Sequence, residues 1–407
     1  MRSISIVYNG VCAKDSSGYY HMTSMVGFLY ELTHKFPYVR YFGGYLEPQD
    51  LDYRFVHEAS MTIENLDLCL TRGNSSNTGS VAFVFNYIML LFRLWSFIWS
   101  SDYLLVFMPS FSSVIAAIFA LILHKDLGVY IGGNWGEETK HRKRNIARTI
   151  VYPINRFLID PLTIWIARQA RFVITPGYDL YHNLSVQKCN IMLTVPLINV
   201  TRSDILVRED TCQRAAEIRI LFVGALRYTK GVQELLEAFA NLKRKQLIQA
   251  NLNLWFVGDG EAKSALEKRA DELQLVGNVK FFGHIPNGPQ LYKFYYDADI
   301  FILPTYSEGF PRVLYEAMTF GLPIITTSVG GIPFFLHHLV DAYLIEPRDT
   351  AGICLALEVL LSDVTLRRNL IRNSRALMLD VVFKRMETET NLAHQVWHKF
   401  APSHGSN

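Results

Sequence analysis

At 407 residues, half of them hydrophobic and 19% charged, the chain is long enough for two domains with separate cores and too apolar for a disordered protein. The formal net charge is +3, and the excess lies in residues 1–200, which carry 17 Lys and Arg against 14 Asp and Glu, while the remainder balances at 23 each. So slight an imbalance argues against a nucleic-acid partner. Five scattered cysteines with no C-x-x-C pair argue against a disulfide framework or a metal cage, and for reduced thiols in a cytoplasmic compartment.

The opening MRSISIVYNG is too short and too interrupted for a signal peptide and reads as a first strand, 4–8. A loop, 9–18, follows, carrying Gly10 and Gly18. Further short runs rich in Val, Ile, Phe and Tyr predict strands at 38–42, 68–71, 103–107, 128–131, 172–175 and 191–195. Between them lie helical stretches at 81–100 and 145–170. The stretch 81–99 is almost continuously apolar, interrupted by Asn86 and Arg93, and a second apolar run, 112–123, follows a strand. Alternation of such runs with strands predicts helices packed on a parallel sheet, with a helix lying in a membrane surface or a membrane span as the alternatives.

Past a polar joint at 201–217, strands at 219–223, 252–257, 279–281, 300–303, 323–326 and 342–345 alternate with helices. The helix 232–244 places Leu235, Leu236, Phe239 and Leu242 on one face, a helix 261–273 follows Gly-Asp-Gly, and Pro311 opens another as a first-turn proline. Two successive sets of strand–helix units predict two doubly wound domains, 1–200 and 201–385, with a helix and tail at 386–407 packing back on the first.

The densest chemical signal is SEGFPRVLYEAMTFGLPIITTSVGG, 307–331. Glu308 is expected in the loop at a strand's C-terminal end and Glu316 on the next helix, whose N-terminus offers free N–H groups to a polar or anionic ligand. A carboxylate accepts a pair of vicinal hydroxyls at once, which suits a sugar or a ribose. Read from spacing alone, two helix-terminus acids stabilising the dipole fit equally well. Lys230, before Gly231 and a helix, sets a compact ammonium beside free helix N–H groups. Asp297-Ala298-Asp299 has a metal-binding spacing but closes a helix and enters a strand, so it is read as structural.

The second half resembles glycosyltransferase family 4, the retaining transferases of GT-B fold. The resemblance rests on Glu308…Glu316 as their E-x7-E signature, with VGALRYTKGV (223–232), LWFVGDGE (254–261), VKFFGHIP (279–286) and YYDADIFILPTYSEGFPRVLYEAM (295–318) in the same order. It implies an α/β fold of two facing Rossmann-like doubly wound domains with a cleft between them. The acceptor would bind in the first domain and a nucleotide-diphosphate sugar in the second. Glu316 would hold the ribose hydroxyls and Glu308 the sugar hydroxyls, with the backbone of Gly309, Phe310 and Pro311 beside the sugar and Gly283 and His284 against the base. Lys230 and Gly224 match the family's G-x5-K-G turn, but Ala225 stands where the family usually has arginine, and Arg227 is the substitute expected to reach the phosphates. Gly18 would approach the diphosphate from the first domain. Basic residues would stand in for a metal, so no metal and no cofactor are expected.

One departure falls in VYIGGNW, 129–135, where many members carry a histidine near the reacting carbon. Asn134 or Trp135 would take over that positioning. From Lys140 to Arg171, eight basic residues, including Arg142, Lys143 and Arg144, are interleaved with apolar ones around a single acid, Asp160. That pattern suits an anionic membrane or a lipid-pyrophosphate acceptor, and a solvated face of a core helix equally. The expected activity is sugar transfer to a hydroxyl of a glycan or lipid-linked acceptor in bacterial surface polysaccharide assembly, on the cytoplasmic face of the membrane. A non-catalytic partner of the same fold and an epimerase or phosphorylase of the same architecture are the rivals.

Overall fold

The computed structural model describes residues 3–15, 18–21, 23–46, 59–72, 80–108, 110–132, 155–194, 208–212, 217–245, 251–308, 310–383 and 392–400. They separate into two compact units, one of residues up to 194 together with 392–400, the other of residues 208–383.

In the first unit, seven parallel strands lie in the order β5 (Leu66–Arg72), β3 (Tyr38–Leu46), β1 (Ser3–Asp15), β6 (Tyr103–Met108), β7 (Asp126–Ile131), β8 (Phe172–Thr175) and β9 (Ile191–Leu193). All six residues of β6 are buried, as a parallel strand covered on both faces requires. Leu104, Val106 and Met108 point to one core and Tyr103, Leu105 and Phe107 to the other. The first core is closed by α2 (Ser80–Trp99), α3 (Phe111–Ile122), α4 (Asp160–Gln169) and α5 (Tyr178–Val186). The second is closed by α1 (Thr23–Thr33) and by the last described helix, α13 (Leu392–Phe400), whose Phe400 stacks on Tyr103 with ring centroids 4.7 Å apart.

Of the expected loop at 9–18, residues 9–15 and Gly18 are instead sheet. β1 continues to Asp15 past a register shift between Val7 and Val11, and turns back antiparallel into β2 (Gly18–His21), which pairs with β4 (Ala59–Ser60). The extension is held because Cys12 is fully buried, its thiol donating to Met61 Sδ at 3.3 Å, and because β3 continues alongside through Gly44 to Leu46. Gly18 therefore stands at the start of a hairpin strand, paired with Asp15, rather than in an open glycine-rich loop. The helix expected over 145–170 is described only from Asn155, as a π turn (Asn155–Ile159) leading into α4.

In the second unit, the parallel order is β12 (Val279–Phe281), β11 (Asn251–Val257), β10 (Glu217–Val223), β13 (Ile300–Leu303), β14 (Ile324–Thr327) and β15 (Tyr343–Ile345). Counted along the chain, the first sheet runs 3-2-1-4-5-6-7 and the second 3-2-1-4-5-6, the doubly wound order, which reverses between β1 and β6 in one and between β10 and β13 in the other. The second sheet carries α6 (Val232–Lys245), α7 (Lys263–Glu272), α8 (Pro289–Asp297), α9 (Arg312–Thr319), α10 (Ile332–Phe335), α11 (Thr350–Ser362) and α12 (Val364–Leu377). Leu235, Leu236, Phe239 and Leu242 of α6 are buried, as their spacing requires. Pro311 is the N-cap of α9 rather than its first helical residue. A fully buried ion pair ties 208–212 to α12: Arg367 Nε and Nη2 donate to the two Asp210 carboxylate oxygens, each at 2.8 Å. Such a fork satisfies both charges at once, which burial demands.

Candidate active site

Ligands of doubly wound sheets bind beyond the carboxyl ends of the strands, where the strand order reverses. In the second unit those ends belong to β10 and β13, and their two loops are laced together. The loop after β10 runs through a 3-10 turn, Tyr228–Lys230, to Gly231, which is left-handed at φ 68°. A Cβ at Gly231 would lie 2.0 Å from the Pro304 carbonyl oxygen, so only glycine lets this turn press against the loop after β13. Tyr306 N–H and the Thr305 hydroxyl then donate to the Thr229 carbonyl at 2.9 and 3.3 Å. This docking brings the Lys230 ammonium onto the Glu308 carboxylate as an ion pair, with side chains 23% and 19% exposed. Arg348 lies over the Tyr306 ring at 4.8 Å and backs the same loop.

The loops after β11 and β12 join from the other side. Gly258, at φ 141°, has no room for a side chain, since its Cβ would meet the Gly224 carbonyl oxygen at 2.0 Å. Gly224 N–H donates to Val257 and Gly258 N–H to the Gly283 carbonyl, at 3.0 and 2.7 Å. Gly224, Gly283 and the Gly-Asp-Gly turn thus form one backbone shelf beside the Lys230 turn, and His284 follows it, half-buried.

Glu316 lies on α9 and is only 4% exposed. Its two oxygens accept from the Tyr295 hydroxyl at 2.6 Å and from Asn287 Nδ2 at 3.0 Å, and Asn287 Oδ1 in turn accepts from the Tyr292 hydroxyl at 3.1 Å. Burial pushes the Glu316 carboxyl above the usual carboxylate range, while Tyr295, Arg312 and Asn287 pull the other way. Since a carboxylate offers about four acceptor sites, two bonds leave the group able to take two hydroxyl donors. Tyr295 itself is fully buried between Phe301 and Phe320, so the geometry of the carboxylate is set by packed rings. No role for Tyr295, Asn287 or Tyr292 is read from the sequence. The signal that could have found them is Tyr295 in the segment YYDADIFILP ahead of the glutamates, a polar-tipped ring at a helix position that packing reserves for apolar side chains.

Of the remaining site residues, Arg227 is exposed on the same turn as Lys230, its carbonyl accepting from Lys230 N–H at 2.9 Å. Phe310 packs against Tyr315 and Phe335, with centroids 4.6 and 4.7 Å away, and holds the loop down. Pro311 is buried at the head of α9. Gly18 lies in the hairpin of the first unit. Gly309, Asn134, Trp135, Arg142, Lys143 and Arg144 lie outside the described residues. Asp299 accepts from Arg219 N–H at 2.8 Å and from the Thr211 hydroxyl, which is the use a strand-entry aspartate makes of its oxygens. Among the described residues no three His, Cys, Asp or Glu side chains converge as metal ligands.

Residues 208–377 match the family model described as Glycosyl transferases group 1. An uncharacterized glycosyltransferase of Methanocaldococcus jannaschii is 33% identical over 159 residues, 39% of this chain and 40% of that protein. A putative teichuronic acid biosynthesis glycosyltransferase of Bacillus subtilis is 36% identical over 138 residues, 34% of this chain and 31% of that one. The matched segment thus spans well under half the length of these relatives. An Anabaena protein, HepE, solved in complex with UDP-glucose, is similar in fold with a TM-score of 0.62 at 15% identity, over 98% of this chain and 99% of that one. Glu308, Glu316, Lys230 and their supporting loops all fall inside the matched segment. The match to the Glycosyl transferases group 1 model is confined to residues 208–377, and the fold as a whole is GT-B.

Proposed function

We propose that the chain is a retaining glycosyltransferase that moves a sugar from a nucleotide-diphosphate sugar to a hydroxyl of a glycan or lipid-linked acceptor in surface polysaccharide assembly, at the cytoplasmic face of the membrane. The observation that supports it best is the Lys230–Glu308 ion pair at the reversal point of the second sheet, with buried Glu316 on the helix that follows.

In this reading Glu316 accepts the ribose hydroxyls on its two remaining acceptor sites. Without donor, Lys230 and Glu308 neutralise each other. With donor bound they exchange partners: the ammonium turns to the diphosphate, and the carboxylate is released to the sugar hydroxyls. The leaving diphosphate gains charge as the glycosidic bond breaks, and a fixed ammonium beside it stabilises that charge selectively in the transition state. Arg227, exposed on the same turn, adds a second cation, and the two basic groups stand in for a metal. The acceptor hydroxyl attacks from the face the diphosphate leaves, and a phosphate oxygen takes its proton, so no protein nucleophile is needed. A relative named as a putative teichuronic acid biosynthesis glycosyltransferase and a fold neighbour solved in complex with UDP-glucose support the substrate class.

The test is a thermal-shift screen of the purified protein against nucleotide-diphosphate sugars in EDTA, repeated on Glu316→Gln. A ligand that binds only the folded state raises Tm by mass action. A selective rise with one donor, reduced in the variant, is the expected result. No rise with any donor in folded protein would overturn the reading in favour of a non-catalytic partner of the same fold.

A further inference from the structure

Helix α2 is apolar on both faces, and among the described residues only one face has a partner. Leu94, Phe97 and Ile98 are buried against the first sheet. The opposite stripe, at 88, 92, 95 and 99, has the i, i+4, i+7, i+11 spacing of one helix side. It carries exposed Ile88, Phe92 (68%) and Trp99 (63%), with Met89 beside them. Trp95 meets Phe119 of α3 edge-on at 5.0 Å, so the stripe runs on without a break to α3 and its exposed Ile122. A helix that is apolar all round is normally covered on all sides, and contiguous exposed apolar surface marks an interaction site.

The charges around this face select the partner. Neither α2 nor α3 contains a carboxylate, and their only formal charge is Arg93, exposed next to Phe92. At the far end Lys125 donates to the Trp99 carbonyl at 2.8 Å, which sets a second cation beside the terminal tryptophan. The neighbouring acids are engaged elsewhere: Asp67 with Arg40, Asp126 with Arg171, and Asp102 with the Ser3 N–H and hydroxyl. Tryptophan at the edge of an apolar stripe and arginine within reach of solvent are what the headgroup boundary of a bilayer accommodates. Among the described residues no helix is long and apolar enough to cross a membrane, and α2 is committed to the core by its other face.

We infer that the outer face of α2 and α3, centred on Phe92, Trp99 and Ile122 with Arg93 and Lys125 as its cations, docks the first unit onto an anionic lipid surface. The inference deepens the reading of the chain as a transferase with a membrane-borne acceptor, because it names the surface that brings the chain to that acceptor. It differs from the basic segment at 140–171, most of whose cations lie outside the described residues.

The test is co-sedimentation of the full chain with vesicles of phosphatidylcholine alone and with phosphatidylglycerol added. The proteins compared are wild type, Phe92→Glu with Trp99→Glu, and Arg93→Glu. The wild type is expected to partition onto the anionic vesicles. The double variant should lose at least tenfold in partitioning, and Arg93→Glu should lose less and only on anionic vesicles. Equal binding by all three proteins, or none by the wild type, would overturn the inference. So would a dimer of the wild type, seen by light scattering and absent from the double variant, which would make the covering partner a second copy. The donor thermal shift, measured on the same double variant, is expected to be unchanged. The vesicle result therefore stands or falls separately from donor binding.

Discussion

The two sheets share one topology and put different things at its edges. Both reverse their strand order after the first strand, and in each the strand on the other side of the reversal, β6 or β13, is buried along its whole length. In the second unit the loops beyond β10 and β13 are pinned by glycines whose close approaches, 2.0 Å from a neighbouring carbonyl for a would-be Cβ, exclude any side chain. There the strand ends hold an ion pair and a buried carboxylate. In the first unit β1 runs on into a hairpin, and the unusual surface is the apolar back of a helix layer. The difference teaches that a doubly wound sheet offers a place for chemistry without supplying it. Chemistry appears where glycine lets two loops touch and charged side chains converge.

Four measurements would break or sharpen that comparison. The largest effect concerns the integrity of the second unit. Asp210→Ala leaves the Arg367 guanidinium buried without its carboxylate and is expected to cost about 3–5 kcal/mol, read by denaturant unfolding. A loss below about 1 kcal/mol would mean that the pair is not the clamp on 208–212 described above. Next, Lys230→Ala is expected to lower kcat/KM by about 10²–10³-fold, the range for removing one transition-state donor. A loss confined to KM would assign Lys230 to ground-state binding instead.

The third measurement addresses the buried carboxylate. Burial raises the folded value for Glu316, so the folded protein takes up this proton before the unfolded chain does. On this account the group favours the folded state more as pH falls through that window, and this contribution is lost as pH rises past the folded value. Donor binding runs the opposite way, because the ionised carboxylate is the better acceptor for ribose hydroxyls. Donor affinity should therefore fall on acidification at a pH above the ordinary carboxylate range, and Glu316→Gln should flatten the profile. Tyr295→Phe removes a donor that holds the value down, so it should move the fall to higher pH and cost about 1–3 kcal/mol of stability. An unmoved profile would detach Tyr295 from the site. The smallest effect belongs to the first unit. Phe92→Glu with Trp99→Glu changes only exposed positions and should alter stability by less than about 0.5 kcal/mol per substitution in thermal melts.

Much of the second unit was legible along the chain. Helical spacing in 232–244 marks a buried face, glycines mark the turns, and Glu308…Glu316 with its flanking segments carries the resemblance. These signals are local, and local signals survive in a linear reading. The first unit was less legible because its departures are contacts between distant segments. Nothing near Asn9 announces that β1 continues, since the extension depends on Cys12 meeting Met61 and on β3 running alongside. The site shows the same divide. Lys230 and Glu308 could each be nominated alone, but not as an ion pair between the loops of two neighbouring strands.

The sequence by itself determined the alternation of strands and helices, the separate cores, and the residue types available to a sugar-nucleotide site, because periodicity and turn chemistry are properties of neighbouring residues. Only the tertiary structure decided that Tyr295 and Asn287 orient Glu316, that Asp299 joins β10 to the segment 208–212, and that α2 has one face in the core and one outside. Those outcomes depend on which distant backbones pack together, and burial then sets what each polar or apolar group must find as a partner.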